Sequence, residues 1–326
     1  MRATNPTTNS HRIRRRAWPR ALALSAALAA GAFAGAAAAV DWSGVEAREV
    51  VVFAPGQGSW EWALTEKDHS GAPKFKEGKN CRSCHDGEQH DMGKRIAGGE
   101  KLEPMPGGAP STTLKVRTAH DGERLHVQIG WKPGPASGKK ADPEVPARIT
   151  MMLADATLKE AARAGCWASC HDDAIGMASA PEGAKITKYL GASRAKLGRT
   201  GGGENMKPAD AIAALQQQGS FLEFWQAKLD PAKPASPASG WILEKRHAHE
   251  PAVSAAEAKF ANGEWTVELS RPLAGGANQH ALAPGKTYAI GFALHDDYTD
   301  HRHHQVSLEY TLSLDGGKAD FVATKK

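Results

Sequence analysis

The chemistry available to this sequence starts at four cysteines and the histidines that follow them. Cys81-Arg82-Ser83-Cys84-His85 is a Cys pair with a two-residue gap, followed at once by His. Cys166-Trp167-Ala168-Ser169-Cys170-His171 repeats the arrangement with a three-residue gap. Two thiols so spaced can form thioethers with the two vinyl groups on one edge of a porphyrin. The next residue is then held beneath the ring, where an imidazole nitrogen can ligate the iron. The pattern reads as two covalently bound haem c, with Cys81, Cys84, Cys166 and Cys170 as attachment points and His85 and His171 as proximal ligands. In the second copy the extra residue must bulge while the sulfurs span the same edge. Disulfides would leave both His neighbours to chance in a chain with 14 His among 326 residues. A zinc ribbon has no need of an adjacent His.

Each iron can take a second axial ligand. For the first haem, His90 and Met92 follow His85 too closely for the chain to reach the opposite face. His69 and Met105 both have the length to do so; His69 is the preferred ligand and Met105 the alternative, which would raise the reduction potential relative to His. For the second haem, His304 shares its parity with Val306, Leu308, Tyr310 and Leu312 and so should point into the core. A core His hydrogen-bonded to a carbonyl is the competing reading. His303 is expected in solvent, Met177 is too near His171, and His295 alternates away from Ile290, Phe292 and Leu294.

The elements that must position these groups are mostly strands. Residues 41–110 read as an irregular, Gly/Pro-rich segment with one short strand at Val50–Phe53. From Ser111 the period becomes two: Leu114 and Val116, then Leu125, Val127, Ile129 and Trp131, joined at His120-Asp121-Gly122, predict a hairpin with one buried face. His120 and His126 are expected to be solvated. Ile149, Met151 and Leu153 predict a further strand. Thr157–Ala164 predicts a short helix behind Asp155, and Pro208–Leu229 a longer one, ended by a linker at Pro231–Pro234. Strands follow at Trp241–Glu244, on both sides of Asn262-Gly263, at Tyr288–Leu294 and at Gln305–Leu314. The fold class is mainly β: a β-sandwich at 111–326 with a helical haem-bearing insertion at about 155–235, preceded at 40–110 by a small irregular c-type haem segment.

Residues 1–39 carry six Arg and no acid, and an Ala-rich run ends at Ala37-Ala38-Ala39. This reads as a signal peptide cleaved after about Ala39, which places the protein in the periplasm and leaves no membrane span after cleavage; an uncleaved membrane anchor is the competing reading. Without those six Arg, 35 Lys+Arg face 36 Asp+Glu, a net charge near −1. The basicity belongs to targeting, and a nucleic-acid partner is excluded. Gly201–Gly203 lacks the Lys-Ser/Thr of a phosphate loop.

Gly263-Glu264-Trp265-Thr266-Val267-Glu268-Leu269-Ser270-Arg271-Pro272-Leu273 resembles a signature strand of the ethylbenzene dehydrogenase-type haem-binding domain, also called cytochrome c-552/DMSO reductase-like. Ala147–Leu153 and Arg302–Ser307 resemble two more of its segments, and the resemblance covers about 111–323. It implies a β-sandwich clasping one haem, which in some relatives is b-type and held by Met and Lys in the small subunit of a molybdenum enzyme. This sequence departs from those relatives by carrying a covalent motif after Leu153, so that ligand pair is not carried over. Residues 55–105 resemble the extra c-type segment of the cytochrome c members. The expected function is a dihaem c-type cytochrome passing electrons between redox protein partners, not an enzyme. The alternatives are a haem-dependent oxidoreductase with an open iron site, or a haem-bearing subunit of a larger molybdenum-type enzyme.

Overall fold

In a computed structural model, residues 40–55, 60–100, 109–134, 145–166, 190–197, 206–296 and 304–326 are described. The signal-peptide reading, Cys170, His171, Met105 and Gly201–Gly203 lie outside the described residues. In chain order the elements begin with β1 (Arg48–Phe53), α1 (Trp60–Ala63), α2 (Ala72–Lys76), α3 (Arg82–His85) and α4 (Gln89–Ala97). Then come β2 (Ser111–His120), β3 (Arg124–Trp131), β4 (Ala147–Asp155), α5 (Lys159–Ala164), a 3-10 turn at Gly191–Ser193 and α6 (Ala209–Gln217). The remainder is β5 (Leu222–Asp230), β6 (Lys233–Ile242), β7 (Arg246–Ala248), β8 (Ala255–Ala261), β9 (Glu264–Pro272), β10 (Thr287–Asp296), β11 (Gln305–Val306), β12 (Tyr310–Leu314) and β13 (Phe321–Lys325).

The fold is mainly β, as expected. The strands join in the order β7-β6-β5-β4-β10-β11-β1-β2-β3-β9-β8, with β12 and β13 branching between β10 and β2. The sheet bends over so that β5 and β6 meet β8 and β9. The space between the layers is filled by alternate apolar residues, among them Leu114, Ile129, Trp131, Ile149, Trp225 and Phe292. The Asn262-Gly263 hairpin has positive φ at both positions (53° and 75°), the requirement of a type I′ turn.

Strands β4 and β10 are buried on both faces. On β10, Tyr288, Ile290, Phe292 and Leu294 enter the inter-layer core. Ala289 and Ala293, with Met152 and Ala154 of β4, belong to a second apolar cluster on the opposite face. The segments carrying the cysteine motifs cover that second face: Trp60, Phe75, Cys81, Ala161, Ala164 and Cys166 all pack there.

Three local expectations are corrected. The helix over Pro208–Leu229 stops at Gln217, because Gly219 takes φ +74°. Phe221–Trp225, aromatic-rich, then starts strand β5, and the expected linker is the turn of the β5–β6 hairpin. The helix near Thr157 starts at Lys159, while Asp155 instead accepts from the backbone N–H and hydroxyl of Thr157, at 2.9 and 2.7 Å. The strand at Gln305–Leu314 breaks at 307–309, where the Ser307 hydroxyl accepts from the Phe292 N–H and donates to the Leu308 carbonyl. After the break the inward parity changes: Val306 and Leu308 face the second cluster, Tyr310 and Leu312 the inter-layer core.

One buried ion pair fastens the two layers. Arg271 of β9 and Glu223 of β5 are both fully buried, with Nε 2.9 Å and Nη2 3.1 Å from the two carboxylate oxygens. The Trp225 indole and the His280 N–H also donate to Glu223, and Arg271 donates to the Pro272 and His280 carbonyls. Burial pulls the Arg271 pKa down, and Glu223 opposes that shift. Truncating one partner leaves an uncompensated buried charge. Arg271→Leu should therefore lower unfolding stability by about 3–5 kcal/mol, measured by denaturant titration of the holo protein. The double change Arg271→Leu with Glu223→Leu should recover part of that loss.

Candidate haem site

The first motif forms one wall of a pocket. Cys81 is buried just before α3, Cys84 is exposed, and His85 ends the helix. The opposite wall comes from the turn between α1 and α2, where His69 faces His85 with ring centroids 6.2 Å apart. Each ring has its Nδ1 engaged. His69 Nδ1 lies 2.9 Å from the Ala63 carbonyl, and His85 Nδ1 lies 3.0 Å from a Glu88 carboxylate oxygen. Both acceptors require Nδ1 to carry the proton, which leaves a lone pair on Nε2, as in histidines that ligate metals. Metal–nitrogen bonds of about 2 Å on both sides would put two imidazole centroids about 6 Å apart, which matches the observed spacing.

The surroundings suit a porphyrin. Trp62 stacks on His69 at 5.1 Å. Phe75, Met92, Ile96 and Leu308 add apolar walls to the cleft. Gly71 keeps the His69 nitrogen clear, since a Cβ there would lie 2.9 Å from Nε2. Residues His69, Cys81, Cys84 and His85 thus fit a c-type haem with two His ligands. Met92, set aside as a ligand on spacing, lines the pocket as a wall: one helix turn on, Ile96 shares its face of α4. His90 points elsewhere, 2.8 Å from the Ser111 hydroxyl.

The two motifs are fastened to each other. The Cys81 N–H donates to the Arg163 carbonyl at 2.8 Å, three residues before Cys166. The Arg163 guanidinium binds the Phe75 and Lys79 carbonyls and lies over the Phe75 ring at 4.2 Å. Gly165 sits at φ +57°, and a Cβ on it would meet the Leu308 carbonyl carbon at 2.5 Å, so glycine is needed for this approach. Cys166 in turn lies over β10, where a Cβ on Gly291 would be 3.1 Å from its Sγ. Arg82 ties α3 to the last strands: its Nη1 donates to Asp320 at 2.9 Å, and its guanidinium covers the Tyr310 ring at 4.3 Å.

Along β10, on the same face as Gly291, His295 is buried and stacks on buried His304, with centroids 4.6 Å apart and planes 9° from parallel. His304 is therefore in a core, but the one shared with Val306, Leu308 and Cys166 rather than the interior between the layers. His295 was set aside because it alternates away from Ile290 and Leu294. That alternation carries it to a second buried face instead of to solvent. The expectation of solvated His120 and His126 is also corrected. Both are buried, His120 against Asp315 at 2.8 Å and His126 between Glu268 at 2.8 Å and Asp121 at 3.0 Å. Burial opposes the charge on His126, but the two carboxylates outweigh it and raise its pKa.

The sequence pattern described as ethylbenzene dehydrogenase matches residues 236–307. Over 317 residues the chain is 38% identical to a cytochrome c-552 of Stutzerimonas stutzeri, covering 94% of this chain and 98% of that protein. The chain belongs to the ethylbenzene dehydrogenase-type cytochrome c family. A cytochrome c-551 of Rhodocyclus tenuis is 30% identical over 294 residues, covering 88% of this chain and 100% of that protein. In this ethylbenzene dehydrogenase-type cytochrome the matched pattern contains Arg271, Gly291 and His295. The Ser-Arg-Pro-Leu signature thus carries the ion pair between the layers, and Cys81–His85 lies outside the pattern.

Replacing His69 tests the facing-histidine geometry. His69→Ala should convert the first haem from a low-spin to a high-spin optical spectrum while its covalent attachment persists, and added imidazole should restore the low-spin form. An unchanged spectrum would move the assignment to Met105.

Proposed function

We propose that this chain is a dihaem c-type cytochrome of the periplasm that passes electrons between redox proteins and carries out no substrate chemistry. The observation that carries this reading is the His69–His85 pair, with each Nδ1 engaged and each Nε2 left to a metal. When bound, haem supplies a one-electron iron couple. The residues hold that couple in place: Ala63 and Glu88 fix the two imidazoles, while Trp62, Phe75, Ile96 and Leu308 exclude water from the faces of the ring. With His69 and His85 both holding the iron, no exchangeable position would remain there, which would suit a relay and oppose catalysis at that iron.

For the second haem we assign Cys166 and Cys170 as attachments, His171 as the proximal ligand and His304 as the distal candidate. Support comes from the burial of Cys166 and His304 at one face of β10. The names of the relatives, cytochromes c-552 and c-551, fit electron transfer. The signal-like residues 1–39 support export. Among the described residues no helix is long and apolar enough to cross a membrane.

The family description, ethylbenzene dehydrogenase, favours a second reading as a haem-bearing subunit of a larger enzyme. Three measurements decide. Intact mass should exceed the processed polypeptide by two haems, and the reduced protein should not bind CO rapidly. Stoichiometric, rapid CO binding would indicate an open iron and an enzyme; co-purification of a large catalytic subunit from the native host would indicate the second reading.

A further inference from the structure

We propose that Glu309 takes up a proton when the haem held at Cys81, Cys84 and His85 is reduced, so that this cytochrome moves a proton with the electron. The proposal rests on the reading of that pocket as a haem c site. Glu309 is 4% exposed and lies where the chain passes beneath the motif. Its Oε1 accepts from the N–H of Arg82, the residue between the haem-bearing Cys81 and Ser83, at 2.9 Å. The preceding residue, Leu308, lines the pocket itself. On the other side, Gly165 packs against the Leu308–Glu309 peptide, where a Cβ would come within 2.6 Å of the Glu309 nitrogen. Its Oε2 is buried and has no hydrogen-bond partner among the described residues. That oxygen is a place for a proton.

The neighbouring charges leave the group poised. Burial pushes the Glu309 carboxyl up to about 7; hydrogen bonds from the Arg82 and Glu309 N–H groups and the Arg82 charge pull it down, and Asp320 pushes it up. The other charged and titratable groups here among the described residues are Arg48, which pairs with Asp320 at 3.2 Å, Asp86, which sits 3.7 Å from Arg82 Nε, Tyr310, the next residue in β12, and Cys81, whose free thiol burial and then Glu309 push up, and which a thioether to haem would remove from titration. Arg82 is already held by Asp320, so it does not fully neutralise Glu309. Ferric iron carries one more positive charge than ferrous iron and favours the carboxylate; removing that charge favours the acid. The balanced step is Fe(III) and carboxylate plus one electron from a donor redox protein and one proton from water, giving Fe(II) and carboxylic acid.

The test is the midpoint potential of the first haem in the holo protein between about pH 6 and about pH 8, around the Glu309 value of about 7. In the parent protein the potential should fall as pH rises, and in Glu309→Gln it should be flat over the same range. An equal slope in both proteins would assign the proton elsewhere, such as to a haem propionate, and overturn the proposal; so would a flat parent profile. Should the Gln variant fail to load haem, redox-difference infrared spectroscopy of the parent protein serves instead. Reduction should produce a protonated-carboxyl C=O band that shifts in D2O, and its absence would overturn the proposal. Peptide mass mapping of Cys81 and Cys84 is read first: missing haem there defeats the site reading, whereas attached haem with a pH-independent potential defeats only the coupling.

Discussion

The fold depends on two strands that have no solvent face. β4 and β10 are apolar on one side to fill the space between the sheet layers, and small or apolar on the other. The second side, with Ala154, Ala289, Gly291 and Ala293, needs a cover of its own. The helices around the cysteine motifs provide it, and the small residues let Cys166 come close to the sheet. A sheet face that elsewhere would meet water here becomes the surface on which the segments carrying the cysteine motifs pack. Burying both faces is ordinary for strands between covering layers, but here the cover carries the chemistry.

That arrangement sets how much the sequence could show. The Cys-Cys-His motifs, the β1 strand, the β2–β3 hairpin and the Asn262-Gly263 turn were legible because each depends on local spacing or on one turn type. His69 was legible from reach alone, as a residue far enough from Cys81 to return across a pocket. Leu222 and Trp225 read as helical because their three-residue spacing fits a helix as well as a strand buried on both faces; tertiary pairing with β4 and β6 decided it. The burial of His126 and His295 was hidden for a related reason. Alternation identifies two faces but not what covers the second one. Nor does a single sequence pair Glu223 with Arg271, which are 48 residues apart.

Among the described residues, several buried charges join segments distant in the chain. Arg271–Glu223 joins the layers of the sheet. Arg194 of the segment after the 3-10 turn meets Glu61 of α1 at 2.7 Å, both buried, and joins the first motif's segment to the chain after the second. His126 bridges Asp121 and Glu268; burial of Asp121 is outweighed by hydrogen bonds from the Arg124 N–H, from His126 and from the Glu123 N–H, which draw its pKa down to about 2. Such contacts specify which surfaces meet more than they add to stability. The apolar cluster alone would tolerate several placements of short helices; the buried ion pairs restrict them.

The placement of β1 has a consequence in time. β1 is hydrogen-bonded to β2 on one side and to β11 on the other, and β13 runs parallel to both β12 and β2. A strand from near residue 50 is therefore flanked by one that arrives some 250 residues later. The sheet cannot close until its last strands exist, and pairings of such long range form slowly. Until those strands arrive, the Cys81–His85 segment lacks its partners Leu308, Glu309 and Asp320. The topology would then work as a delay: Cys81 and Cys84 would stay accessible to a porphyrin until the final strands close the pocket.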